Sequence, residues 1–334
     1  MRITQLYDAL LLDLDGTVWA GDNAIPNAVE AVTAAKDAGL SAAYITNNAS
    51  RPPSEVAAKL TAMGLPSESA DVLTSAQAAV QLATKHAQPG EKILVIGAPS
   101  FAELVQVAGF VPVDSADEYP KVVVHGHSPD NGWRQLSEAA LAIAQGAKYI
   151  ASNLDTTLPM DRGLMVGNGS MVAAVTSATG VTPQAAGKPE PAMFELAKAN
   201  LSSSRPLAVG DRLDTDIAGG VAAKMDTLHI LTGVSGPLAL IAAPPAQRPT
   251  FIAEDLSVLS DDVDVDELRP APQGGFTATR NGDEVTLDGG TESSNPLQAL
   301  RTVLSVVWAG GGDNGSVVVK PASDVARAAT QAWW

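Results

Sequence analysis

Asp13 and Asp15 lie two positions apart, where the apolar run Ala9-Leu10-Leu11-Leu12 meets a turn at Gly16-Thr17. In an extended strand, residues two apart project to the same side, so both carboxylates reach one small volume as the strand runs out. Two like charges that close require a cation, a shared proton, or both. Three further stretches bring complementary groups: Thr46-Asn47-Asn48, Lys188 within Gly187-Lys188-Pro189-Glu190-Pro191, and Gly210-Asp211-Arg212-Leu213-Asp214-Thr215-Asp216. A carboxylate can attack phosphorus and hold it as an acyl phosphate, dividing one hard displacement into two easier ones. Magnesium favours one or two carboxylates with waters and a substrate oxygen, a demand that Asp13, the Asp15 carbonyl and Asp211 meet. A hydroxyl, a lysine and backbone amides suit the equatorial phosphoryl oxygens, where charge accumulates. The residue types together describe phosphoryl transfer.

These groups need strands that end together. Residues 7–15 read as a buried strand, 26–38 as a helix opened by Pro26 and stopped by Gly39, and 40–45 as a second strand closing on Thr46. Helices over 54–63 and 75–86 continue the alternation, which is the mark of a parallel sheet covered on both faces. Ligands of such sheets sit at the carboxyl ends of the strands, where Asp15 and Thr46 both fall. Strands over 92–96, 121–124 and 148–151 repeat the alternation without continuing the first series. The first pattern then resumes with a helix over 191–199 and strands over 206–209 and 227–231. The expected fold is therefore α/β: a Rossmann-like parallel-sheet core from residues 1–88 and 183–259, with an inserted α/β cap domain over 89–182. The acidic, proline- and glycine-containing run 260–275 reads as a linker. A small C-terminal α+β unit over 276–334 follows. It should hold a hairpin over 276–287 turning at Asn281-Gly282, a helix over 296–308, a strand over 316–320 and an amphipathic helix over 323–334.

At 334 residues the chain exceeds the usual single domain, and each unit can bury its own core. Zero cysteines exclude disulfide scaffolds, thiolate metal sites and cysteine nucleophiles. A net charge of -16, with no basic cluster along the chain, argues against nucleic-acid binding. No apolar run reaches the length of a membrane span, and Met1 leads directly into a strand pattern, so a cytoplasmic location without membrane association is expected.

The four motifs, in this order, resemble the haloacid dehalogenase (HAD) superfamily of aspartate-nucleophile phosphatases, and the match runs over residues 7–233. The insertion lies between the threonine and lysine motifs. That is where the NagD-like branch, with the eukaryotic phosphoglycolate and pyridoxal phosphatases, carries a large α/β cap of C2 type. Within this branch the sequence is most similar to actinobacterial glycerol 3-phosphate phosphatases. The resemblance implies that Asp13 is the nucleophile and a metal ligand, and Asp15 the general acid and base, also a metal ligand. It implies that Thr46, Asn47, Asn48 and Lys188 bind the phosphoryl group, that Asp211 binds the metal, and that Asp216 orients metal-bound water or Lys188 from behind. The implied cofactor is Mg2+, with Mn2+ as the alternative. The implied reaction is hydrolysis of a small phosphorylated metabolite, glycerol 3-phosphate first. 2-Phosphoglycolate, pyridoxal phosphate and sugar or nucleotide monophosphates are alternatives, and a phosphotransferase, a mutase or a phosphometabolite sensor are rivals. An acid at Asp15 favours a phosphatase over a dehalogenase.

Asp214 is read as a helix cap. His125 and His127 lack a third nitrogen or sulfur ligand nearby and are read as cap contacts or turn structure rather than a metal pair. His125, Asn153, Asp155 and Leu158 are the candidate specificity residues of the cap. Leu158 stands where relatives acting on pyridoxal phosphate carry histidine, and Arg134 and Arg162 are the cap's only arginines, which favours a small neutral polyol on the phosphate. The last unit resembles part of an acetyltransferase fold but has no glycine-rich turn suited to coenzyme A phosphates. It is expected to be structural or dimerising, with a homo-oligomer through it or through the cap left open. Trp333 and Trp334 should pack onto the core or mark a contact surface.

Overall fold

Ala9–Leu12, four apolar residues buried without exception, form a strand covered on both faces, as the central strand of a parallel sheet must be. The computed structural model describes residues 1–160, 162–312 and 317–333. They fall into two compact units. One is built from residues 1–43, 63–65 and the chain from 198 onward, the other from 44–62 and 66–197.

In the first unit Ala9–Leu12 pairs in parallel with Pro206–Gly210, which pairs with Asp226–Ile230, which pairs with Phe251–Ala253. The first residues of Ser41–Thr46 run along the other side of Ala9–Leu12, with the Ser41 amide donating to the Asp8 carbonyl at 3.1 Å. The four strands from Ala9–Leu12 to Phe251–Ala253 point the same way, so their carboxyl ends share one edge. The expected helix near residue 26 is observed as Ala28–Asp37, and its buried Ala28, Ala31, Val32 and Ala35 recur at helical spacing.

The C-terminal segment has the expected order. Phe276–Asn281 and Glu284–Gly289 form an antiparallel hairpin whose turn carries Gly282 at φ 61°, a conformation glycine adopts at little cost. Val318–Pro321 adds in parallel to the second of these strands. The start of this strand, expected at Ser316, and the last residue, Trp334, lie outside the described residues. Helix Pro296–Val307 is capped by the Asn295 side chain on the Gln298 amide at 2.8 Å, with Gln298 reaching back to the Asn295 amide. Leu297, Leu300, Leu304 and Val307 of this helix, with Trp333, share one apolar cluster with Leu213, Ile217, Leu240 and Ile252. The buried Arg301 guanidinium donates to the Ile252 carbonyl, and the Trp308 indole to the Leu240 carbonyl at 3.2 Å. The C-terminal segment thus completes the core of the first unit. The run 260–275 behaves alike: Val265 and Leu268 are buried, and Arg269 lies over the Phe251 ring at 4.5 Å.

The second unit holds a five-stranded sheet in the order Gln184–Ala185, Lys148–Ala151, Val122–His125, Lys92–Ile96, Val111–Val113, all parallel. Helices Trp133–Ala144 and Asn168–Thr179 bury Ala139, Ala142, Ile143, Val172 and Val175 with Leu94, Val123 and Tyr149 of the sheet. Tyr44–Thr46, the end of a strand begun in the first unit, pairs with Val72–Thr74. Beyond the expected elements stands a short antiparallel hairpin, Thr157–Met160 with Gly163–Val166. Among the described residues no helix is long and apolar enough to cross a membrane.

Each unit buries one neutral histidine. His125 is fully enclosed on its strand, shares a 2.8 Å hydrogen bond with the Tyr149 hydroxyl, and burial pulls its pKa down to about 4. His229 is also held at about 4, chiefly by burial, against smaller upward pulls from the Ser235 carbonyl and Asp216. Between those values and the ordinary value near 6.5 the unfolded chain binds protons that the folded one does not. Stability is therefore whole above about pH 6.5 and is lost as pH falls toward 4, by at most about 1.4 kcal/mol per pH unit for each histidine. Thermal unfolding followed across that window should show a falling midpoint, and a flat profile would refute the burial assignment.

Candidate active site

In the first unit the site is built where the parallel strands end. The Asp13 amide continues the ladder to the Val209 carbonyl at 2.9 Å, and the chain then folds tightly on itself. The Leu14 carbonyl accepts from the Thr17, Val18 and Trp19 amides, with Gly16 in the left-handed region at φ 90°. This fold-back sets the Asp15 carboxylate, which is exposed, against the Trp19 indole N–H at 2.8 Å.

Asp211 follows Gly210 at the end of the neighbouring strand and is fully buried. Its Oδ2 accepts from the Val234 amide at 2.7 Å and its Oδ1 from the Thr17 hydroxyl at 3.4 Å. Two glycines permit this placement: a Cβ on Gly233 would stand 2.0 Å from Asp211 Oδ2, and one on Gly16 2.6 Å from the same carboxylate. Asp216 belongs to the helical turn Leu213–Ile217, where its Oδ2 accepts from the Arg212 amide at 3.1 Å. Gly210 allows its approach, since a Cβ there would meet Asp216 Cβ at 2.3 Å.

Asp13, Asp211 and Asp216 consequently each offer a carboxylate oxygen, all within 4.8 Å of one another. The donors are hard oxygens with no nitrogen or sulfur, a set that suits Mg2+ or Mn2+ rather than zinc. Asp216, expected behind the ligands, offers an oxygen to the same cluster as Asp13 and Asp211. Asp214, expected as a helix cap, instead takes a two-pronged hydrogen bond from the Arg212 guanidinium at 3.1 and 2.8 Å, which holds its carboxyl below the usual carboxylate range. The backbone at Arg212 is extended, so its side chain reaches the residue two positions on, and Asp216 supplies the acceptor for the start of the turn.

The second unit gathers the remaining groups. Thr46 and Lys188 are both buried, Thr46 Oγ1 accepts from the Asn48 amide at 3.1 Å, and Lys188 Nζ donates to the Ile45 carbonyl at 3.1 Å. Asn47, expected as a phosphate ligand, has its side chain committed elsewhere. Its Oδ1 accepts from the Lys188 amide at 2.9 Å, while its Nδ2 donates to the Lys188 carbonyl at 3.0 Å and to Asp155 at 3.1 Å. The amide thereby mimics a strand neighbour for Lys188. A Cβ on Gly187 would lie 2.6 Å from Asn47 Oδ1, so glycine at 187 is what lets the two segments meet. The Asn48 side chain closes a local turn, accepting from the Ser50 amide at 2.9 Å and hydroxyl at 2.7 Å.

Asn153 donates to the Asn47 carbonyl at 2.7 Å and accepts from the Asp155 amide at 3.2 Å, while Asn168 donates to the Asn153 carbonyl at 2.8 Å. Asn153 and Asp155 are thus tied to the segment carrying Asn47. Leu158 is half-buried on the hairpin strand Thr157–Met160. His125, read as a specificity contact, has no exposed surface and serves the interior of its sheet. The sequence reading missed the Val234 amide, the Thr17 hydroxyl and the Trp19 indole. The Thr232-Gly233 turn signals the first of these, whereas nothing local announces the other two.

The parallel sheet with an acidic cluster at the ends of its strands is an α/β arrangement able to hold a divalent cation. Residues 10–111 match the family model for haloacid dehalogenase-like hydrolases and 185–259 a further HAD-hydrolase-like model, while 273–333 match a GCN5-related N-acetyltransferase-like domain. The chain is 41% identical to D-glycerol 3-phosphate phosphatase of Mycobacterium tuberculosis, covering 99% of this chain and 95% of that protein. It is 34% identical to an acid sugar phosphatase of Staphylococcus saprophyticus over 75% of this chain and 96% of the relative. The crystal structure of the M. tuberculosis glycerol phosphate phosphatase in complex with magnesium superposes with a TM-score of 0.93 at 41% identity, over 100% of this chain and 98% of that one. The chain belongs to the haloacid dehalogenase-like hydrolase family.

The Gly233→Ala variant should displace the Asp211 carboxylate and weaken divalent-ion binding roughly ten- to hundredfold while leaving the circular dichroism spectrum unchanged. Calorimetric titration with Mg2+ checks this, and an unaltered affinity would contradict the described support of Asp211.

Proposed function

We propose that the protein is a Mg2+-dependent phosphatase of small phosphate monoesters, with glycerol 3-phosphate as the first substrate, working through an aspartyl-phosphate on Asp13. The observation that carries the reading is the convergence of Asp13, Asp211 and Asp216 at one edge of the parallel sheet, with Asp15 two residues beyond the first of them. The magnesium-bound relative and the D-glycerol 3-phosphate phosphatase support the choice of ion and ester.

Asp13, Asp211 and Asp216 would hold the ion, which when bound supplies neutralisation of the phosphoryl charge that the acidic cluster would otherwise repel. An oxygen of Asp13 attacks phosphorus in line and the ester P–O bond breaks. Asp15, oriented by the Trp19 indole, gives its proton to the departing alcohol oxygen. In the second half Asp15 takes a proton from water, whose oxygen attacks phosphorus and frees the Asp13 carboxylate and inorganic phosphate. The Thr46 hydroxyl and Lys188 ammonium bind the equatorial oxygens, where charge grows in the transition state. Asn47 contributes by fixing the Lys188 backbone on both sides rather than by touching the substrate.

Inorganic phosphate release across glycerol, glycolate, pyridoxal, sugar and nucleotide monophosphates tests both the chemistry and the substrate. Glycerol 3-phosphate should give the highest kcat/KM, and Asp13→Asn should lower kcat by several orders of magnitude with the fold retained. Retained turnover in Asp13→Asn, or phosphate appearing on an acceptor instead of in solution, would refute the assignment.

A further inference from the structure

The strands that end at Asp13 and Asp211 begin at the opposite edge of the first unit's sheet, and there the surface is hollowed. A cavity of about 410 Å³ is lined by Tyr7, Lys198, Arg205, Lys224, Asp226 and Arg269 among others. Tyr7 and Asp13 are six residues apart on nearly extended chain, which puts the cavity on the order of 20 Å from the acidic cluster.

Its charge is what distinguishes it. The whole chain has 21 basic residues against 37 acidic ones, yet four of the basic ones, drawn from well-separated parts of the sequence, line this one hollow with a single carboxylate. That carboxylate is already occupied by neutral donors: Asp226 accepts from the Tyr7 hydroxyl at 2.8 Å and from the Thr250 hydroxyl at 3.2 Å. Asp8, close by in sequence to Tyr7, is likewise taken by the Ser203 and Ser204 hydroxyls and the Arg205 amide. Hydroxyls and amides thus hold the acids that lysine and arginine would ordinarily pair with. Among the described residues the side chains of Lys198, Arg205 and Lys224 have no hydrogen-bond or ion-pair partner, while Arg269 meets Asp266 at 3.6 Å and lies over the Phe251 ring.

Four converging cations, three of them without an acidic partner, in a concave site of small-ligand size present the charge-assisted donors that phosphate groups select. The net charge of -16 disfavours an extended nucleic acid, whose affinity needs a long cationic track. We infer that this cavity is a second binding site, separate from the acidic cluster, for a small phosphorylated anion carrying two or more negative charges.

Methylenediphosphonate, which no phosphatase step can cleave, serves as the probe in calorimetric titration of the full chain, with EDTA present and ionic strength held constant. Saturable binding at one site is expected. Neutralising two exposed or half-exposed cations together, Lys198→Gln with Lys224→Gln, should weaken it by about tenfold or more. Removing the single lining carboxylate with Asp226→Asn should strengthen it, and Lys188→Gln should leave it unchanged. No saturable binding, wild-type affinity in the double variant, or a loss on Lys188→Gln instead would each overturn the assignment.

Discussion

Three carboxylates held within 4.8 Å of one another, two of them buried, form an arrangement that opposes itself. Coulomb repulsion between such groups grows as water is excluded, so the site is comfortable only when a cation or protons occupy the volume they share. Everything near them works to prevent the evasion of that conflict. The Val234 amide and Thr17 hydroxyl fix Asp211, the Arg212 amide fixes Asp216, and Gly16, Gly210 and Gly233 remove the Cβ atoms that would push the carboxylates apart. Parallel strands do the rest by delivering Asp13 and Asp211 to one edge.

A similar economy governs the second unit. Burying the Lys188 ammonium costs solvation, and a flexible lysine would recover it by turning to water. The Lys188 ammonium meets the Ile45 carbonyl instead, while the Asn47 amide grips the Lys188 backbone from both sides and Asn153 and Ser75 in turn hold the Asn47 carbonyl. Asn47 therefore acts as a clamp on the Lys188 segment.

Much of this was legible in sequence. Uninterrupted apolar runs such as Ala9–Leu12 and Val122-Val123-Val124 announce buried parallel strands, and Gly39 marks a helix end whose φ of 97° the structure confirms. Asp13 and Asp211 stand out because each follows such a run, whereas Asp216 lies in the turn beyond. What escaped reading depends on distant partners. Val72–Thr74 is only three residues long and Gly163–Val166 is exposed throughout, so neither shows the apolar run or period of a buried strand. The commitment of Asn47 is decided by Asp155 and Lys188, more than a hundred positions away. The docking of helix Pro296–Val307 follows from Leu213, Ile217 and Leu240, whose hydrophobicity is equally consistent with a core of their own. The cationic cavity draws on residues 198 to 269, where no local run is basic.

The mutual repulsion of Asp13, Asp211 and Asp216 is tested most directly by thermal unfolding with and without Mg2+, on the wild type and on Asp216→Asn. The account predicts a saturable rise in the wild-type midpoint with Mg2+, because an ion bound only by the folded state stabilises it by mass action. It also predicts that Asp216→Asn melts higher than wild type without metal and gains less from adding it. A wild-type midpoint indifferent to Mg2+, together with a metal-free Asp216→Asn variant no more stable than its parent, would contradict it.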